Sequence, residues 1–268
     1  MKPMEGSRKY VHVFRMRLLE YLAFPIDFLA NWAGFPFTMT TYYFLYGTVY
    51  QYNPTFAGMD FHTLLVYFFL ALCFRRIGSH SSTANDVSDN IQKGSFLPYI
   101  TRPIHYIGYF FAIQSAKVVL QGLLALPFII AVPILFIPGY AFNLVPIIQA
   151  YMLALLGFGA IFQVFFMVGL LSFWFEAIWG IRHGIGILIW LFSGALIPIT
   201  IMPDPLKAIA FILPFQHAAG IPAQLILGQK GNGEFVTSAL ILIVWIILLF
   251  LAQRTIWEKG LLKHDGKG

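Results

Sequence analysis

Charged side chains are scarce in this sequence, making up 10% of its 268 residues against 59% hydrophobic residues. Soluble domains usually carry about 25% charged residues, so this chain lacks the polar surface that a soluble fold needs. The mean hydropathy of +0.77 also indicates a chain that is too apolar for a soluble fold. These values exclude a soluble protein and predict a membrane protein. The aromatic content of 18% suits lipid-facing and interfacial positions.

Cysteine occurs only once, and the sequence motifs of several chemistries are missing. Cys73 cannot form an internal disulfide, and we expect it to be a packed residue rather than a redox or lipidated thiol. No G-x-x-x-x-G-K-[ST] sequence is present to bind nucleotide phosphates, and no H-E-x-x-H or Cys/His cluster to bind a metal. We therefore expect no catalytic site, cofactor or metal in this chain.

The apolar runs are nearly free of ionisable groups, which argues against a proton-coupled carrier or a channel with a charged ring. A conduit driven by another protein fits this pattern better. A membrane assembly protein without transport activity and an intramembrane enzyme remain as alternatives. The net charge of +6 is explained by membrane topology rather than by nucleic-acid binding.

Long uncharged stretches predict an all-α polytopic membrane protein with six spans in a single domain, residues 1–268. The uncharged run of the second span ends at Phe74, short of the ~20 residues that a crossing needs. Either Arg75 and Arg76 snorkel to the interface, or the helix continues past them to about Ser82 in a protein-lined or aqueous setting, and we favour the second. The spans are expected within Leu22–Tyr50, from Phe61, twice within Val118–Phe175 with a turn at Pro138, Gly139 and Asn143, at Gly184–Met202 and at Phe235–Gln253.

Two segments outside these spans have their own patterns. Residues 6–21 alternate basic and apolar positions, which predicts a helix in the membrane interface, and Asp27 is expected near the same interface. Residues 203–234 contain several helix breakers, so we expect short re-entrant helices in the outer leaflet, covered by protein. The breakers are Pro203, Pro205, Pro214, Gly220, Pro222 and Gly228.

The distribution of basic residues predicts the orientation. Six spans place both termini on one side, and a cytoplasmic N-terminus leaves only Lys207 and Lys230 of the 17 lysines and arginines outside. The positive-inside rule therefore predicts that both termini are cytoplasmic.

One polar stretch, Thr83–Pro103 (TANDVSDNIQKGSFLPYITRP), separates two long apolar runs. It predicts a cytoplasmic helix over residues 83–96, with Thr83, Val87 and Ile91 on one face and Gly94 at the end. This helix is either gripped by a soluble partner or a solvated loop helix.

Two longer segments resemble the permease subunits of type-2 ABC exporters. DVSDNIQKGSFLPYITRPI, Asp86–Ile104, is similar to the family's acidic helix followed by I-x-x-G and R-P. FSGALIPITIMPDPLKAIAFILPFQHAAGIPAQLILG, Phe192–Gly228, is similar to its S-G-x-x-x-P, P-x-x-L and L-P-F pattern. The basic tail, WEKGLLKHDGKG, also resembles the family's ending. The resemblance covers nearly the whole chain and is to the small bacterial permeases without a fused ATPase.

The resemblance implies a permease subunit of an ATP-driven exporter in the bacterial cytoplasmic (inner) membrane. Two separate ATPase subunits would bind ATP and magnesium, and a second permease, identical or related, would complete the pathway. The helix over residues 83–96 would be the coupling helix, which docks into the ATPase subunit. Carried over to this sequence, the ATPase-contacting residues are Asp86, Val87, Asp89, Asn90, Ile91 and Gln92.

A dimeric pathway would be enclosed by the first, second and fifth spans, whose aromatic and apolar side chains favour an apolar or amphipathic substrate. Its candidate contacts are Tyr42, Tyr43, Tyr46, Tyr67 and Trp190, which could equally face lipid or pack inside the bundle. Pro203–Gly228 would form either an outer gate or a packed plug. Ser193–Gly194 would lie either at a dimer seam or in a contact within one subunit.

Overall fold

Helices form the whole architecture of the described part of the chain, which comprises residues 3–24, 32–78, 81–101 and 105–265 of a computed structural model. They are α1 (Pro3–Ala23), α2 (Gly34–Tyr50), α3 (Phe61–Gly78), α4 (Ser81–Gln92), α5 (Leu97–Thr101), α6 (Tyr106–Phe136), α7 (Leu144–Leu170), α8 (Trp179–Phe192), α9 (Asp204–Ile212), α10 (Pro214–Ala218), α11 (Gly220–Ile226) and α12 (Asn232–Asp265). The all-α class predicted from the sequence is confirmed. Asp27 and residues 102–104 lie outside the described residues.

Four helical stretches in the described part are long and apolar enough to cross a membrane. They are Phe61–Gln92, which includes the undescribed residues 79–80, Tyr106–Phe136, Leu144–Phe173 and Asn232–Lys263. Helices α2 and α8 have 17 and 14 residues, fewer than the ~20 that a straight crossing needs. The chain is therefore a multi-pass membrane protein, and the count of six spans stays a prediction.

The predicted fifth span, Gly184–Met202, differs from the structure at both ends. Helix α8 begins at Trp179 and ends at Phe192. Gly194 follows with φ of +78°, a left-handed conformation that stops a helix. A short 3-10 turn, Ile199–Ile201, then leads into α9.

The turn predicted between the third and fourth spans is confirmed. Gly139 has φ of +73° between α6 and α7, a conformation that glycine adopts without steric cost. Asn143 then caps α7, because its side-chain oxygen accepts a hydrogen bond of 3.0 Å from the backbone N–H of Val145.

Helix α7 is the centre of the bundle. In its most apolar 18-residue window, 72% of the residues are buried, against 28% in α6 and 17% in α12. It packs against α12, α4, α11 and α10. Glycines allow the close approaches: a Cβ atom on Gly157 would lie 2.3 Å from the Cβ of Ala218 in α10.

Helices α9, α10 and α11 occupy the predicted re-entrant segment, residues 203–234. Every residue of α10 and of α11 is buried, because the two helices pack against α7, α3 and α12. The ring of His217 crosslinks this segment: Nε2 donates to the carbonyl oxygen of Phe211 at 3.0 Å, and Nδ1 lies 2.8 Å from Oγ of Ser238. Pro214, Gly220 and Pro222 are thus covered by protein, whereas Pro203, Pro205 and Gly228 are exposed. The depth of the segment in the membrane stays a prediction.

Helix α1 covers residues 6–21, as predicted, and packs along α6. The ring of Tyr10 packs against Gly108 of α6, where a Cβ would lie 2.9 Å from a ring carbon. The hydroxyl of Tyr10 also accepts a hydrogen bond of 3.0 Å from the backbone N–H of His105. These two contacts fasten α1 to the first turn of α6.

Candidate functional site

Helix α4 has one face inside the protein and one face outside. Thr83, Ala84, Val87, Ser88 and Ile91 are buried, with exposed fractions of 0 to 5%. This periodicity is the one that the sequence predicts for an amphipathic helix. The helix spans Ser81–Gln92, against the predicted residues 83–96, and Gly94 follows its end with φ of +67°.

The buried face of α4 is fastened to the last turns of α7. A Cβ on Gly169 would lie 2.6 Å from the Cβ of Val87 and 3.0 Å from the carbonyl oxygen of Ala84, so only glycine permits this approach. Ser172 Oγ donates a hydrogen bond of 2.6 Å to Ser88 Oγ. One turn further along, the amide Nε2 of Gln92 donates to the carbonyl oxygen of Glu176. Helix α4 is thus joined to the last turn of α7 and to residues 172–176 that follow it.

This packing revises the predicted ATPase contact. Val87 and Ile91 lie inside this chain, because α4 turns its apolar ridge towards α7 rather than towards solvent. Asp86, Asp89 and Gln92 are exposed and Asn90 is half-buried. Only these four of the six predicted contact residues are accessible to another protein.

The polar face of α4 borders a cleft of about 570 Å³ between α1, α4 and the start of α6. Asp86, Asp89 and Asn90 form one wall, and the other polar lining residues come from the surrounding elements. These are Arg17 and Tyr21 of α1, Ser82 at the start of α4, Lys93, Ser95 and Tyr99, and Tyr109, Gln114 and Lys117 of α6. Burial raises the pKa of the Tyr21 hydroxyl, so this side chain stays neutral at physiological pH.

Both signs of charge meet in the cleft. Arg17 pairs with Glu20 at 2.7 Å, and Lys93 pairs with Asp89 at 3.4 Å. Among the residues that the structure describes, Asp86 and Lys117 form no ion pair, although both line the cleft. The arrangement can therefore bind a partner surface that carries charges of both signs.

A second cluster brings together three of the five candidate pathway residues. Tyr42, Tyr46 and Tyr67 are buried around Phe68, with exposed fractions of 1 to 5%. Tyr42 donates a hydrogen bond of 2.8 Å to the carbonyl oxygen of Ala195, and Tyr67 donates one of 2.9 Å to that of Gly194. Tyr42 and Tyr67 therefore hold the turn after α8 in place.

Comparison with protein families decides what the chain is. The model of a family described as ABC-2 family transporter protein matches residues 37–268, well over half of the sequence. The chain belongs to this ABC-2 family. The predicted resemblance to type-2 ABC permeases is thus confirmed, and the ABC-2 protein is a membrane component of a transporter. Neither the curated proteins nor the solved structures contain a significant match.

Several residues of the cleft in this ABC-2 protein were missed by sequence reasoning. Arg17 lies in the segment predicted to be an interfacial helix, and Lys117 lies next to the apolar run of the predicted third span, but both line the cleft with Asp86. Arg75 and Arg76 lie past the apolar run of α3 as predicted, and their guanidinium groups lie 5.6 Å from the ring centre of Trp190 and 5.7 Å from that of Trp32. Only the packing of distant helices reveals these pairings.

The Ser193–Gly194 pair of the ABC-2 protein lies within one subunit. Ser193 is 1% exposed, and a Cβ on Gly220 of α11 would lie 2.8 Å from its carbonyl oxygen. The pair therefore joins α8 to α11 and to the tyrosine cluster, in a small-residue contact that belongs to a single chain.

We expect Gly194→Ala to lower the free energy of unfolding by about 2–3 kcal/mol, from left-handed backbone strain and a weakened hydrogen bond. The new Cβ would lie 2.7 Å from the hydroxyl oxygen of Tyr67. Gly139→Ala is the matched control, because Gly139 also has positive φ but open space around it. Thermal unfolding in detergent measures both, and equal losses would contradict the role of the Tyr67 contact.

Proposed function

We propose that this ABC-2 protein is the permease subunit of an ATP-driven exporter in the bacterial inner membrane, with both termini in the cytoplasm. Two permease subunits, identical or related, would form the pathway, and two ATPase subunits would dock below it. Permeases of this family normally work with ATPase subunits. ATP and magnesium would be bound by the ATPase, since the chain has no phosphate-binding motif of its own.

The two-faced packing of α4 carries the proposal. Its apolar face is fastened to α7, the most buried of the four candidate spans, while its polar face borders an open cleft. A partner that binds Asp86, Asp89, Asn90 and Gln92 would therefore move α7 together with α4. ATP-driven closure of two ATPase subunits would use this connection to change the populations of inward- and outward-open states.

The burial of the tyrosine cluster narrows the proposed pathway contacts. Tyr43, with 53% of its surface exposed, and the half-buried Trp190 remain accessible. Tyr42, Tyr46 and Tyr67 are buried, and the hydroxyls of Tyr42 and Tyr67 are bonded to the turn after α8. The exposed apolar side chains of α2 and α8 support an apolar or amphipathic substrate. The full burial of α10 and α11 supports a packed plug rather than a gate.

The docking proposal is tested by charge reversal on the exposed face of α4. The full chain is co-expressed with the Walker-type ATPase encoded nearest to its gene, and the amount of ATPase that co-purifies in detergent is measured. We expect Asp89→Arg to reduce it about tenfold, equivalent to about 1.4 kcal/mol. Val87→Arg and Ile91→Arg are unsuitable, because they would place a charge inside the α4–α7 contact.

Glu258→Arg is the matched control for Asp89→Arg. Both acidic side chains are just over 60% exposed, and each pairs with a basic residue four positions away. The same change of charge at Glu258 of α12 should leave the co-purified ATPase at the wild-type level. Failure of the wild-type chain to retain any ATPase would favour the assembly-protein alternative, and equal retention by Asp89→Arg would remove α4 from the interface.

A further inference from the structure

A groove of about 790 Å³ lies on the outside of the bundle between α6, α7 and α12. Its walls are apolar, with Phe111 of α6, Leu155 and Phe162 of α7, and Ile247 and Phe250 of α12 among them. Gly159 keeps it open, since it contributes no side chain to the floor. Because these three helices are candidate spans, the groove opens towards the hydrocarbon of the membrane.

The polar groups of the groove are few. Tyr10, His105 and Gln253 lie at the end of the bundle that carries α4, and Gln163 lies further along α7. Gln253 is 0% exposed, and neither its Oε1 nor its Nε2 has a hydrogen-bond partner among the described residues. Gln163 donates to the carbonyl oxygen of Gly159 at 3.1 Å, but its Oε1 has no partner.

Unpartnered amide groups at this position need an explanation. Hydrocarbon provides no water to bond them, and a buried amide without a partner destabilises the folded state. A ligand that fills the groove must therefore combine an apolar body with hydrogen-bonding atoms near Gln253. A membrane lipid has this chemistry, because its ester groups lie just inside the headgroup region and its chains extend into the bilayer.

We propose that the groove binds one phospholipid, with an acyl chain between α6 and α12 and a glycerol ester carbonyl that accepts a hydrogen bond from Nε2 of Gln253. An apolar helix of a second copy fits less well, because its backbone carbonyls are already bonded within the helix. Arg254, the next residue of α12, is exposed and pairs with Glu258 at 3.2 Å, and its charge would attract a phosphate at this end of the groove. The lipid would fill the groove between α6 and α12 above α7 and so join the two outer helices. This inference does not depend on the ATPase partner.

The test measures phospholipid bound to the full-length purified chain. Wild type and Gln253→Leu are washed in a maltoside detergent, and phospholipid in the organic extract is quantified per mole of protein by mass spectrometry. We expect wild type to retain phospholipid and Gln253→Leu to retain about three- to tenfold less, the effect of one lost hydrogen bond. The leucine variant should still fold, because replacing an unpartnered amide by an apolar side chain of similar size is tolerated.

Gln121→Leu is the matched control. Gln121 is also a buried glutamine with an unpartnered Oε1, but it lies on α6 outside the groove. Its replacement should leave the phospholipid content at the wild-type level. Lipid that is retained equally by wild type and Gln253→Leu would be nonspecific boundary lipid and would overturn the proposal.

A second variant tests the groove without touching the amide. Leu155 is 53% exposed on the wall, so Leu155→Trp should occupy the space of the acyl chain and lower the bound phospholipid without disturbing the core. The mass of the protein in detergent is measured in parallel. A change of oligomeric state with unchanged phospholipid content would assign the groove to a second copy of the chain and overturn the lipid proposal.

Discussion

Gly157→Ala is expected to lower the midpoint of thermal unfolding by about 6–12 °C, which corresponds to a destabilisation of about 3 kcal/mol. The added methyl group would lie 2.3 Å from the Cβ and 2.9 Å from the Cα of Ala218. Because one of these atoms belongs to the backbone, α10 must move as a unit away from α7. Both Ala218 and the surrounding helix are buried, so no side-chain rotation relieves the clash.

Two variants control this prediction. Gly186 lies in helix α8 with no atom near the position of a Cβ, so Gly186→Ala should be neutral or raise stability by up to about 1 kcal/mol. Ala218→Gly in the Gly157→Ala background removes the nearer of the two contacts and should restore part of the loss. If Gly157→Ala melts like wild type, then α10 does not pack against α7 as described.

The second large effect is expected at the junction of α4 and α7. Gly169→Ala would place a methyl group 2.6 Å from the Cβ of Val87 and 3.0 Å from the carbonyl oxygen of Ala84, which separates the two helices. We expect a destabilisation of about 2 kcal/mol and a fall in the thermal midpoint of about 4–8 °C. Under the proposed function, the variant should still bind the ATPase through the polar face of α4.

The consequence for coupling is measured by ATP hydrolysis. In lipid nanodiscs, the complex with Gly169→Ala should lose most of the difference in hydrolysis rate that the wild-type permease imposes on its ATPase. Val87→Gly in the same chain removes the Cβ that clashes and should restore part of this difference. Glycine inside a helix itself lowers the stability of the fold by about 1 kcal/mol. Wild-type coupling in the single variant would mean that force does not pass from α4 to α7.

The sequence predicts local structure well where local chemistry decides it. Gly139 and Asn143 mark the turn before α7 because a left-handed glycine and an N-cap act within a few residues. The two faces of α4 follow from the spacing of Val87 and Ile91. The partner of the apolar face does not follow from that spacing, since the contact with Gly169 joins residues that are far apart in the sequence.

Contacts between distant segments also explain why the candidate site does not follow from the sequence. Arg17 belongs to a helix whose own pattern indicates a membrane interface, and Lys117 belongs to a candidate span. The cleft exists because α1 lies along α6 beside α4. Tyr42 of α2 and Tyr67 of α3 are aromatic residues of the kind expected along a pathway for an apolar substrate. Their hydroxyls bond the turn after α8 instead, a contact between distant segments that no periodicity encodes. The end of α8 at Phe192 depends on the same turn.

The attachment of α1 to α6 has a consequence for the order of biosynthesis. The hydrogen bond between Tyr10 and His105 joins positions 95 residues apart. At a translation rate of about 5–20 residues per second, the N-terminal helix emerges about 5–20 s before its binding site exists. During that interval its basic and apolar faces can be satisfied only by the membrane surface. The amphipathic pattern of α1 thus allows this helix to bind the lipid interface until the first turn of α6 has been synthesised.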